Sequence, residues 1–275
     1  MTEPPLDLRG RTLRAALTRR PPARWSPGFA RPYAATVAML DALLTDLNEA
    51  EWAAVAAGDW DVRDLVVHLS ASDGLLGEAI EGRVSSAADV LDRTREAIGR
   101  RPPPRDARRA WRRQADALCD DVGEEDADRR VEAGGRRLRL TDHFTGRAFE
   151  TWIHADDIAR GTGRTLLSPP AEHVHPIADL GVRSLPMALA VTGRDHSDRM
   201  LRLILDGPGG GQWTIPLGRA AAADGDPSAQ LRMDVVEFCF LAGGRRDPAR
   251  IQAETSGDTT VTDDVLAAAS AFSGP

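Results

Sequence analysis

In the stretch RAFETWIHADDIARG, residues 147–161, a carboxylate, Glu150, precedes an imidazole, His154, by four positions. On a helix four positions make about one turn, so both side chains point the same way. Carboxylate and imidazole together are a ligand pair for a divalent metal, and equally an ordinary ion pair on a helix surface. The neighbours help to decide. His143, Arg147, Glu150, His154 and Asp157 fall on one helical stripe, with Phe144 and Ile158 along one margin and Ile153 along the other. A solvated face seldom carries apolar residues so close on both sides. A polar stripe facing the interior of a helical bundle does, and buried carboxylates and imidazoles there need partners, which a metal supplies.

A catalytic site requires a third ligand. His68, in DVRDLVVHL, lies about 60° around its helix from Leu65, on the apolar side. With Glu150 and His154 it makes a His₂Glu set, the arrangement that leaves a fourth zinc position open, although such sets also hold iron or nickel. A lone histidine on an apolar face, as His68 is, is more often a hydrogen-bonded core residue. His173 and His175, in EHVHP, are a rival pair, but they alternate in a segment that reads as irregular surface. His196 beside Asp195 reads as a linker residue. His143 is either a fourth ligand or a rim residue, and Asp157 either a hydrogen-bond partner of a ligand histidine or a continuation of the helix surface.

The elements that must position these groups follow from periodicity. Residues 33–50 place Val37, Leu40, Leu44 and Leu47 at helical spacing. After a loop through Gly58, Asp61 reads as an N-cap with Asp64 completing a capping box, and Trp60 and Leu65 suit a hydrophobic staple. A third helix is predicted through ARRAWRRQADALCDDVG, and a fourth after Thr141 carries the stripe; together they read as a four-helix bundle. Another helix is predicted over PIADLGVRSLPMALAVTG. RMLRLILD and QWTIPLG then flank GPGGG as a β-hairpin, Leu231–Met233 reads as a strand, and DVVEFCFLAGG and DDVLAAASAF read as helices. The expected fold class is α+β: an irregular arm over residues 1–30, a metal-binding helical bundle over 31–196, and a small α+β domain over 197–275.

Composition narrows the classes. The 275 residues are 42% hydrophobic and 28% charged, as in a globular protein. No apolar run approaches the roughly 20 residues that span a bilayer. The N-terminal arginines and alanines resemble an organellar presequence, but Glu3 and Asp7 argue against that, and no continuous apolar core marks a secretory signal. A cytoplasmic protein is expected. The net charge of −7 and the dispersed basic residues argue against a nucleic-acid partner. All 35 basic residues are arginine, which with abundant alanine, glycine and proline suggests a GC-rich genome. Cys119 and Cys239 lie far apart in apolar helical contexts, so neither zinc binding nor catalysis by a protein cysteine is expected.

GDWDVRDLVVHLSASDGLL, RAFETWIHADDIARGTGR and FLAGGRRDP, in that order, resemble the mycothiol-dependent maleylpyruvate isomerase family over roughly residues 30–273. That family belongs to the DinB-like four-helix metalloenzymes and carries a small sterol-carrier-like C-terminal domain. The resemblance implies a divalent metal, zinc by preference, held by His68, Glu150 and His154, with mycothiol as thiol cosubstrate. It also implies a catalytic arginine in the C-terminal domain, which aligns with Arg245 ahead of Arg246. The implied reaction is cis–trans isomerisation of a small electrophile: a metal-bound thiolate adds to a conjugated double bond, the resulting single bond rotates, and the thiolate leaves. Three other activities remain open. A thiolate that stays attached gives a mycothiol S-transferase. A zinc hydrolase would use the same metal, although H-E-x-x-H and its general base are absent. A non-catalytic metal-binding module would show a closed fourth position, for instance at His143.

Overall fold

The computed structural model describes residues 22–221 and 225–271; most of the expected arm, residues 1–21, lies outside them, as does the reading of a leader. The chain divides into two compact units, Met1–Leu166 and Leu167–Pro275.

In the first unit a 3₁₀ turn leads into α1 (Arg31–Thr45), which buries Tyr33, Val37, Leu40 and Leu44. The run predicted to reach Ala50 stops short because Asn48 opens a new helix, α2 (Glu49–Trp52). The Asn48 side chain accepts from the Glu51 amide, and the Glu51 carboxylate accepts from the Asn48 amide. The expected loop contains a small hairpin, β1 (Val55–Ala57) and β2 (Trp60–Asp61). Asp61 then caps α3 (Val62–Ile80) reciprocally with Asp64, as the sequence predicts. A helix not among those expected follows, α4 (Ala87–Arg100), capped by Ser86 and Asp89. Next come α5 (Pro104–Asp120), a hairpin of β3 (Arg130–Ala133) and β4 (Arg136–Arg139), and the long α6 (Leu140–Gly161).

Helices α1, α6, α3 and α5 pack in that order and close a four-helix ring, and α4 lies against α3. Leu40, Leu65, Leu69, Trp111, Leu118, Phe144 and Trp152 fill its core almost without exposure. Full burial of each such side chain contributes about 1.5–3 kcal/mol before conformational entropy is subtracted. Charged groups also sit inside this core, Asp41 among them. Asp41 of α1, 1% exposed, accepts from Arg108 Nε at 2.6 Å and Arg112 Nη1 at 3.2 Å, both on α5.

Both ends of α6 are tied down. The amides of Leu140 and Thr141 donate to the carbonyls of Arg129 and Ala127, so the first turn finds acceptors in the preceding loop. At the other end a β-carbon on Gly161 would lie 2.6 Å from the Val55 carbonyl oxygen of β1. Gly161→Ala should therefore push β1 off the helix and destabilise the first unit by about 1–3 kcal/mol, the usual range for overpacking. Thermal unfolding checks this; an unchanged melting temperature would show that β1 yields freely.

The second unit begins with α7 (Ala171–Val191), which packs on the later elements α8 and α9 and on β6. The division therefore falls after Leu166, well before the expected 196/197 boundary. Helix α7 also includes EHVHP and tolerates Pro176 and Pro186 internally, so His173 and His175 are helical and not irregular. The four-stranded sheet runs in the order β6-β5-β7-β8. β5 (Met200–Asp206) and β6 (Gly211–Pro216) form the expected antiparallel hairpin around GPGGG; β7 (Ala229–Asp234) joins β5 in parallel, and β8 (Glu254–Gly257) pairs antiparallel with β7. Leu201, Leu203 and Leu205 of β5 alternate inward beside Leu231 and Met233 of β7. The remaining helices are α8 (Val235–Ala242) and α9 (Thr259–Ala268). The α8 terminus is a Schellman turn: Gly244 adopts φ +70°, and the Arg245 and Gly244 amides reach the carbonyls of Phe240 and Leu241. Among the described residues no helix is long and apolar enough to cross a membrane.

Candidate metal centre

The polar stripe of α6 faces the bundle interior. Arg147, His154 and Asp157 are buried, and the Glu150 side chain is 32% exposed and forms the open side. His68, 7% exposed on α3, comes to meet them. One donor atom each from His68, Glu150 and His154 lies within 4.8 Å of the others, so the three residues singled out in the sequence converge in space. His68 Nε2 is 2.8 Å from Glu150 Oε1, and the two imidazole rings stand edge to face at 5.5 Å.

Each histidine is held by its other ring nitrogen. His154 Nδ1 lies 3.1 Å from Asp157 Oδ2. Burial pushes the His154 pKa below its ordinary value, so the ring is neutral; with its proton on Nδ1 toward Asp157, the lone pair is on Nε2. His68 Nδ1 lies 3.0 Å from Thr94 Oγ1 of α4, and the Trp60 ring packs 5.1 Å from the imidazole. Ligand histidines characteristically anchor the second nitrogen in this way. Asp157 thus takes the partner role its place on the stripe suggested. Thr94 was not anticipated, because its helix was not; the advance signals are the Ser86-to-Asp89 capping box that starts it and Val90, Leu91, Ala97 and Ile98 at helical spacing.

Arg147 binds the remaining side of Glu150. Its Nη1 donates to Glu150 Oε2, and its Nε donates to Asp73 Oδ1 at 2.7 Å. Burial opposes the charge on Glu150, yet Arg147, with His68 and His154, holds the carboxyl well below the usual carboxylate range. Asp73 is fully buried, and burial raises its pKa against the pull of Arg147. Tyr33 of α1 interacts with the same carboxylate; burial first, then the Asp73 charge, push its hydroxyl well above its ordinary value.

The other histidines do not join. His143 Nε2 donates to the Val131 carbonyl at 3.1 Å, so it braces β3 and leaves the set of three as it stands. In the second unit His175 stacks on Trp213, with Nδ1 3.2 Å from the Gly209 carbonyl, and His196 Nε2 is 2.8 Å from Asp264 Oδ2. Two residues apart on a helix, His173 and His175 face different sides and offer no shared site.

Two imidazoles with anchored second nitrogens and one carboxylate are a donor set suited to zinc or a similar borderline cation. Arg245, the other residue singled out, follows α8 in the second unit, where its Nη1 donates to the Gly243 carbonyl at 2.7 Å. Arg246 is engaged differently. Both ends of its guanidinium meet the Glu237 carboxylate, at 2.8 and 3.0 Å, and it lies over the Phe240 ring.

Residues 33–159 match the family model described as the mycothiol maleylpyruvate isomerase N-terminal domain. Two proteins of Mycobacterium tuberculosis, both described as uncharacterized, are 24% identical to the chain over 247 residues, covering 86% of it and 91% of their own length. The crystal structure of a mycothiol-dependent maleylpyruvate isomerase superposes with a TM-score of 0.55 at 17% identity, covering 84% of this chain and 92% of that one. A histidine-to-alanine variant of that isomerase gives the same values. At this identity the likeness shows a shared fold.

Proposed function

We propose, from the premise that the chain belongs through residues 33–159 to the mycothiol maleylpyruvate isomerase family, that it is a metal- and mycothiol-dependent isomerase of a small unsaturated keto acid. The single observation that carries this reading is the convergence of His68, Glu150 and His154 inside the bundle, each histidine anchored through its second nitrogen. A divalent ion held by these three residues would supply a Lewis acid strong enough to deprotonate a coordinating thiol. The chain's own groups do the rest. Asp157 and Thr94 keep the imidazoles oriented, and Glu150, its side chain 32% exposed, is the solvent-facing member of the set. Arg245 is proposed to stabilise the enolate-like charge that develops on the keto acid. In the reaction the thiolate sulfur forms a bond to one alkene carbon while the π electrons move to the conjugated carbonyl. Rotation about the new single bond follows, and return of those electrons expels the same thiolate.

The nucleophile is an external thiol. Both cysteines of the chain are buried, and burial pushes each thiol up to about 12. At neutral pH only about one part in 10⁵ of either would be thiolate. Cys119→Ser with Cys239→Ser should therefore leave turnover within about threefold of the parent, with any loss appearing as lowered stability through packing. Buried reduced thiols also support a cytoplasmic setting.

The deciding experiment incubates metal-loaded protein with mycothiol and a panel of cis-configured unsaturated keto acids, read by mass spectrometry and NMR. Trans product with mycothiol recovered unchanged supports the isomerase. A stable thioether assigns an S-transferase instead, and turnover without any thiol overturns the thiolate reading.

A further inference from the structure

The two oxygens of Glu150 are divided between two partners. Oε1 faces His68 Nε2, and Oε2 accepts from Arg147 Nη1. A pair three residues apart on a helix is common, and at a surface it would be free to break and re-form. Arg147 has no such freedom. It is 7% exposed, its Nε is fixed by Asp73 Oδ1 at 2.7 Å, and its Nη2 points to the Leu69 carbonyl at 3.5 Å. The bracing partners stand on α3, the helix that also carries His68. Asp73 is wholly buried, and its charge offsets that of the guanidinium. Burying such a pair is unfavourable relative to an apolar pair of the same size. The arrangement is thus a costly way to pack two helices and an effective way to hold one carboxylate oxygen.

We infer that Arg147, braced by Asp73, is a positioning residue that keeps Glu150 Oε2 occupied, so that the carboxylate gives a metal ion one oxygen and not two. The inference rests on the metal-site reading above. A carboxylate free at both oxygens can chelate, and two imidazoles with two oxygens would fill four positions, as in a closed structural site. Holding Oε2 away preserves a position for an external ligand. Asp73 keeps the clamp from adding net positive charge beside a cation.

The test uses Co²⁺-loaded full-length protein and 2-mercaptoethanol as the external thiol, followed by visible absorption. Wild type should show intense four-coordinate d–d bands and a saturable sulfur-to-cobalt charge-transfer band. Arg147→Met combined with Asp73→Asn removes the clamp and its counter-charge together. It should still take up cobalt but with weaker d–d bands, as water adds to the four positions the protein then fills, and with thiol affinity lowered roughly 10- to 100-fold, the range for lost outer partners of a metal site. Arg147→Lys keeps the charge but not the fork, so it should lower thiol affinity severalfold at an unchanged circular dichroism spectrum. This second variant carries the test if the first does not fold. Thiol affinity and d–d intensity equal to wild type in a folded variant would overturn the clamp. A wild type that takes up no cobalt would instead overturn the metal site itself.

Discussion

Replacing His154 with alanine is expected to leave the purified protein without retained metal, where the parent holds a near-stoichiometric amount. Disturbing only the outer partner of a metal ligand lowers affinity about 10- to 100-fold. Removing one of three ligands should exceed that, to the point where dialysis strips the ion. The position is exacting because His154 is 3% exposed and its ring is fixed by Asp157, so no neighbouring imidazole can move into its place. Glu150→Ala should behave alike, whereas His143→Ala and His175→Ala should keep their metal, since those rings serve the Val131 carbonyl and the β5–β6 turn. Elemental analysis after dialysis decides. Retention by the His154 variant would remove the three-residue site from consideration.

Arg245→Ala should keep metal and fold yet lose about 2–4 kcal/mol of transition-state stabilisation, or roughly 30- to 900-fold in turnover, as when one oxyanion donor is deleted. The choice of Arg245 rests on the family resemblance. Arg246 is gripped by both Glu237 oxygens and stacked on Phe240, which suits a structural part. Arg245 lies beyond a left-handed glycine in a short, defined turn. Lysine at 245 should recover little, because an ammonium lacks the planar fork. Arg246→Ala should leave turnover nearly unchanged and lower stability by at most about 1 kcal/mol. Steady-state kinetics on metal-quantified protein separates these outcomes. A silent Arg245 variant beside an inactive Arg246 variant would exchange their roles, and two silent variants would confine the chemistry to residues of the first unit.

What the sequence made legible has a common physical basis. The stripe on α6 and the apolar side of α3 repeat at 3.6 residues, and the Asp61 and Gly243–Gly244 boundaries are local hydrogen-bonding devices. Such features are written within a few consecutive residues. Helix α4 escaped although Val90, Leu91, Ala97 and Ile98 recur at helical spacing around Thr94, its one buried residue, because that short stripe is diluted by charged neighbours. The β3–β4 hairpin escaped likewise: its strands are rich in arginine, and its mark is the positive φ of Gly134 and Gly135. The helix expected from Pro176 starts five residues earlier, at Ala171, and takes in the EHVHP segment that read as irregular surface; its contacts with α8, α9 and β6 hold it there. The Asp73–Arg147 brace joins residues 74 positions apart, a distance over which a single sequence carries no pairing signal.

Asp41, between Arg108 and Arg112, bears on how this bundle can change over evolutionary time. Losing the aspartate alone takes from Arg108 its carboxylate and leaves Arg112 to Asp116 and the Pro22 carbonyl, and losing one arginine leaves the Asp41 carboxylate half held. Exchanging all three for apolar residues together can be neutral or even stabilising, as with other buried ionic triads. The intermediates therefore lie lower in fitness than either end, and the three positions behave as one inherited unit. Relatives are expected to keep the triad whole or lack it whole, and an isolated acid at position 41 should be rare among them.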